Sequence, residues 1–125
     1  MKLALLAGAG GFIGTVLRYL LNTWIYRILA YPLFPYGTLF VNVMGCLTIG
    51  LLSGIAESRN VFTPELRIFI FIGILGGFTT FSSFGYDTFA FFRDGQIGLA
   101  GLNIFLQLFL GLSAVWLGFQ IARFF

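Results

Sequence analysis

The chain has no histidine and a single cysteine, Cys46. It therefore offers no Cys/His cluster for a metal and no histidine to activate a nucleophile. No nucleophile and base stand at a readable spacing either, so the sequence argues against an enzyme. A lone cysteine forms no internal disulfide; Cys46 lies in an apolar run and reads as a packing residue. Charge is also scarce. Only 9% of the 125 residues are charged, seven Lys and Arg against four Asp and Glu. That is too little for a soluble domain of this length, and a net charge of +3 is no footprint for nucleic acid.

What the chain has instead is apolar surface, with 59% hydrophobic residues and 17 phenylalanines. This composition defines an all-α integral membrane protein. Charges fall at Lys2, Arg18, Arg27, Glu57, Arg59, Glu65, Arg67, Asp87, Arg93, Asp94 and Arg123. The stretches between them are long enough to cross a hydrocarbon core of about 30 Å as helices. Four spans are predicted, near residues 3–26, 36–56, 66–92 and 97–122, within a single domain covering 1–125. Pro32 and Pro35 punctuate the first connection, Glu57 to Pro64 forms the second, and Arg93-Asp94-Gly95 the third. The start, MKLALLAGAGG, has the outline of a signal peptide. Its apolar run continues through Phe12, Ile13, Val16 and Leu17 to Trp24, and reads better as a retained first span.

Four spans put both termini on one side, with Lys2, Arg59, Arg67 and Arg123. The other side has Arg27 and Arg93. So weak a bias permits insertion both ways up. Glycines four apart (Gly10 and Gly14, Gly50 and Gly54, Gly73 and Gly77) mark close helix contacts, either within one chain or between copies. Two copies inserted in opposite senses would be related by an axis in the membrane plane.

Polar residues at membrane depth each need a partner. Arg18 reads either as a snorkelling side chain or as a lure for anions. Thr38 and Asn42 share a helix face that Gly45 leaves open. Asn42 is either interhelical glue or a pair of N–H donors for a dehydrating anion. Asn103, Gln107 and Gly111 make a second such track. In GILGGFTTFSSFGYDTF, residues 73–89, Gly76-Gly77 followed by Thr79-Thr80 is a poor helix interior, and a break is expected there. Carbonyls freed at such a break are ligands for a small cation. Beyond it Phe81, Phe84 and Thr88 lie along one face, with Thr80, Ser83 and Asp87 beside them. Phenyl rings there pack against lipid or core, or turn their positive edges toward an anion.

Three blocks carry a family resemblance: GGFIGTVLRY at 10–19, PYGTLFVNVMGCLTIG at 35–50 and GILGGFTTFSSF at 73–84. In order and spacing the chain resembles the bacterial fluoride channels of the CrcB/Fluc type over essentially its whole length. The resemblance implies a passive fluoride channel in the bacterial inner membrane. It implies a dual-topology, antiparallel homodimer with two pores, a third helix broken mid-membrane and a central structural Na+. By position, Asn42 becomes the pore asparagine, Phe81 and Phe84 the pore phenylalanines, and Arg18 the vestibule arginine. Gly76 and Thr79 supply backbone carbonyls to the sodium, Thr38 and Ser83 supply hydroxyls near the pore, and Asp87 falls at a position often acidic. The fourth span departs from the family's hydroxyl track, because Asn103 and Gln107 stand there. Two other readings are a fluoride/proton exchanger with Asp87 as proton carrier, and a dual-topology drug exporter. The exporter lacks its first-span carboxylate in this chain. An accessory membrane subunit explains the glycines but not the aligned polar tracks.

Overall fold

A computed structural model describes residues 1–59 and 61–125. Asn60, within the predicted second connection, lies outside the described residues. The regular elements of the described residues are all helical, with no strand. Its elements are α1 (Lys2–Ile28), α2 (Tyr36–Arg59), α3 (Pro64–Arg67), a π-helical stretch (Ile68–Leu75), α4 (Gly76–Phe78), α5 (Phe81–Arg93) and α6 (Ile97–Ala122). Four spans result: α1, α2, the composite Pro64–Arg93 and α6, of 27, 24, 30 and 26 residues. Each exceeds the roughly 20 apolar residues that a bilayer requires. The second connection is shorter than the sequence indicated, since α2 keeps Glu57 and Arg59 in helix.

Local chemistry sets the ends. Thr63 caps α3, its Oγ1 accepting from Leu66 N at 3.2 Å, with Pro64 and Glu65 in the first turn. After α1, Ala30 and Tyr31 both take left-handed backbone angles, and Tyr31 N returns to Tyr26 O at 2.8 Å. Gly95, at φ +74°, turns the chain from α5 into α6. There Arg93 Nε donates to Asp94 Oδ1 at 2.9 Å, and that bond holds the Asp94 carboxyl below the usual carboxylate range.

The helices pack by backbone approach. A Cβ on Gly14 would collide with the Ile74 carbonyl and lie 2.8 Å from Phe78 N; one on Gly73 would lie 2.8 Å from Gly10 Cα. Likewise Gly50 abuts Val115 O, and Gly118 abuts Leu47 O. The spaced glycines thus join α1 to the third span and α2 to α6 within one chain.

Burial differs from that of a soluble protein. Asn103 and Thr38 are 0% and 3% exposed, whereas Phe81 is 82% exposed. Aromatic side chains cover the outside, and the polar ones are held between helices, as a lipid solvent requires. An apolar cluster of Phe34, Phe91 and Ala100 closes one end of the bundle.

Candidate functional site

The site grows from two residues. Thr79 (φ −85°, ψ 159°) and Thr80 (φ −150°, ψ 115°) are extended, and they separate α4 from α5. Thr79 N still reaches Leu75 O at 3.0 Å. Thr80 N donates instead to Asn42 Oδ1 at 2.8 Å, and Ser83 N to Thr80 Oγ1 at 3.2 Å. The carbonyls of Gly76 and Thr79 therefore lose the amides that a continuous helix would give them. Thr79 O accepts from Arg18 Nη1 at 3.2 Å, which gives the half-buried arginine a partner inside the bundle rather than at the surface.

The interruption falls in the threonine half of the Gly76-Gly77, Thr79-Thr80 stretch. Gly76 and Gly77 remain helical, because the Gly77 backbone is pressed against Gly11, where a Cβ would lie 2.5 Å from Gly11 O. The threonines, whose hydroxyls offer competing bonds, leave the helix. Thr79 Oγ1 donates to Leu75 O at 2.9 Å, and Thr80 Oγ1 caps α5 and donates to Ser83 Oγ at 3.1 Å.

Asn42 closes on the gap from α2. Its Nδ2 donates to Thr80 O at 3.1 Å and to Gln107 Oε1 at 3.0 Å, so one amide ties α2, the third span and α6 together. One turn away on α2, Thr38 Oγ1 donates to Asp87 Oδ2 at 3.1 Å. Asn103 Nδ2 donates to Thr88 Oγ1 at 2.9 Å, and Thr88 Oγ1 in turn to Phe84 O at 2.8 Å. The two amides of α6 therefore serve different partners. Gln107 joins the Asn42 cluster, while Asn103 is sealed against α5.

A cavity of about 380 Å³ opens beside the interruption. It brings together Asn42, Gly76, Thr79, Phe81, Phe84 and Gln107, all singled out from sequence. Thr38, Ser83, Asn103 and Arg18 do not line it; Ser83 and Arg18 adjoin it through their bonds to Thr80 and Thr79. Phe81 and Phe84 meet edge to face, with centroids 5.5 Å apart and planes at 66°. Among the remaining wall residues, two carry a polar or reactive side chain, Cys46 and Thr80. Cys46, read as packing, lines the cavity, as its position one turn after Asn42 on the same helix face allows. Thr80 was noted for the expected break and for its face, and its backbone anchors the cluster. Among the described residues no three His, Cys, Asp or Glu side chains gather as metal ligands.

A four-span bundle with a cavity lined by Asn42, Gln107, Thr79, Thr80, Phe81 and Phe84 belongs to the class of small multi-pass membrane proteins. Within that class, residues 5–119 match the family described as CrcB-like protein, Camphor Resistance (CrcB), and the chain belongs to it. It is 44% identical to the fluoride-specific ion channel FluC of Agrobacterium fabrum, covering 94% of this chain and 94% of that one. It is 38% identical to the FluC of Methylobacillus flagellatus over 98% of this chain and 96% of that one. Against the FluC of Parabacteroides distasonis the identity is 46% over 91% and 88%. All three relatives are named for ion conduction and none for catalysis, in line with the missing nucleophile–base pair.

Proposed function

We propose that this protein is a fluoride-selective passive channel that releases cytoplasmic fluoride across a bacterial inner membrane. Two copies assemble antiparallel, each interruption lies at mid-membrane, and each copy's polar cluster serves one of two pores. The observation that carries this reading is the cavity where the Asn42–Gln107 amides meet the Phe81–Phe84 ring pair. Fluoride is small and strongly hydrated, so it enters a narrow passage only where close donors replace its water. Amide N–H groups and ring edges do so without offering a proton. Chloride is larger and fits the same passage badly. Neutral HF diffuses into a cell and releases fluoride at the higher internal pH, and a passive pore then lets the membrane potential expel the anion.

Assembly follows from size and surface. One chain leaves Phe81 82% exposed beside its own cavity, and a second copy covers it. The near balance of Lys and Arg between the two sides supports insertion in both senses. A structural sodium ion fits the freed carbonyls of Gly76 and Thr79, since oxygen at an unwound helix is a ligand set for Na+. One chain offers two such carbonyls, so the set is complete only with a second copy. Arg18 occupies one lone pair of Thr79 O and leaves the other. The ion would supply a fixed positive charge at the dimer centre.

One observation favours a second reading. Asp87 is a half-buried carboxylate within a span, bonded to Thr38, and is the one group placed to carry protons in a fluoride/proton exchanger.

The test is efflux from liposomes loaded with potassium fluoride, started with valinomycin and read by a fluoride electrode, with potassium chloride as control. We expect rapid fluoride release with chloride retained. We also expect a lower thermal midpoint when the protein is purified with N-methylglucamine in place of sodium. No fluoride release from folded, dimeric protein sinks the channel. Slow release that tracks a pH gradient selects the exchanger, and an unchanged midpoint removes the sodium.

A further inference from the structure

The bonding around Thr80 leaves one amide donor over, and it is not on Asn42. A backbone N–H only donates and a C=O only accepts. The two bonds from Thr80, at 2.8 and 3.1 Å, therefore fix which end of the Asn42 amide is oxygen and which is nitrogen. The second Nδ2 hydrogen meets Gln107 at 3.0 Å, so the Gln107 atom facing it must be Oε1. The orientation of Gln107 follows from that of Asn42. Both N–H bonds of Asn42 are then committed, whereas Gln107 Nε2 has no partner among the described residues although the residue is only 9% exposed.

We propose that Gln107 is the amide that donates to the passing anion, and that Asn42 is a positioning residue that aims it. The proposal rests on the fluoride-channel reading above and names the donor within it. Gln107 shares the cavity wall with Phe81 and Phe84. A buried N–H with nothing to donate to carries an uncompensated desolvation cost, and a small anion at that point removes it. Nε2 is covered by neighbouring atoms, so only an ion stripped of its water reaches it, after a side chain shifts. One turn earlier on α6, Asn103 Oδ1 is also buried and unpaired, but it is an acceptor and repels an anion. The helix thus holds an attractive and a repulsive amide group in sequence, which confines the ion to the Gln107 level.

Selective 15N labelling of glutamine and asparagine side chains in detergent-solubilised full-length protein tests this directly. The chain has three glutamines, Gln96, Gln107 and Gln120, and the Gln107 signal is the one missing from Gln107→Met. Sodium fluoride is expected to shift that NH2 pair, sodium chloride to leave it in place, and the Asn42 pair to move less. In liposomes, Gln107→Met and Gln107→Glu that elute like wild type should release fluoride roughly tenfold to a hundredfold more slowly, as for one lost bond to a charged group. A fluoride response at Asn42 with none at Gln107 overturns the assignment. So do wild-type rates in Gln107→Met, or a Gln107 N–H bonded to Asn103 and indifferent to fluoride. If wild type itself releases no fluoride, it is the channel reading that fails, whichever amide responds.

Discussion

Replacing Asn42 with leucine removes three hydrogen bonds at once, two to the Thr80 backbone and one to Gln107. Leucine is larger than asparagine, but Asn42 lines the cavity, which takes up the difference, and the polar groups left behind decide the outcome. An interhelical side-chain bond in a membrane protein averages about 0.6 kcal/mol, which puts three independent ones near 2 kcal/mol. Thr80 raises the figure, because a buried backbone group without a partner costs about 1–3 kcal/mol. The combined expectation for Asn42→Leu is a loss of about 3–5 kcal/mol. Thr38→Val, which removes only the bond to Asp87, is the matched control at about 0.6 kcal/mol. Unfolding in mixed dodecyl maltoside and sodium dodecyl sulfate, followed by fluorescence of Trp24 and Trp116, measures both. If Asn42→Leu costs under about 1 kcal/mol, within reach of the control, then Asn42 is not the hub joining three spans, and the argument from its saturated amide goes with it.

Two further predictions use the same preparations. Gly14→Ala places a methyl group against the backbone of Ile74 and Phe78 and should cost about 1–3 kcal/mol. Gly8→Ala meets nothing within 4 Å and should be neutral or stabilising by up to about 1 kcal/mol; equal behaviour of the two would refute the backbone contact between α1 and the third span. Methyl methanethiosulfonate on Cys46, in the cavity wall, should slow fluoride release, and Cys46→Ala should resist it; unaltered release from fully modified protein would place Cys46 off the ion path.

The spans were legible because apolar runs between charges leave few alternatives, and their ends moved by only a few residues. The π-helical stretch was not. Its sequence, IFIFIGIL, is apolar on every side, so no amphipathic period betrays how it is wound. The interruption was legible as a region but not as a position. Gly76 and Gly77 look weaker than Thr79 and Thr80 until the contact with α1 is known, and that contact is tertiary. The same divide runs through the site. Asn42 and Gln107 stand out as amides in lipid-soluble helices, yet their bond joins residues 65 apart and no local pattern encodes it. Asn103 had the same local signature as Gln107, and only packing against Thr88 separates their roles.

A π-helical turn closes its hydrogen bond one residue later than an α-helical turn does. The stretch Ile68–Leu75 is therefore equivalent to an α-helix into which a residue has been slipped without breaking it. A loop absorbs an extra residue by growing longer; this segment absorbs it by rotation. Deleting one residue there would leave every connection intact while turning the faces of Gly73 and Gly77 away from α1 and re-aiming Thr79 and Thr80. The angular setting of the cavity wall is thus written in the length of an apolar segment that itself lends Phe71 and Leu75 to that wall.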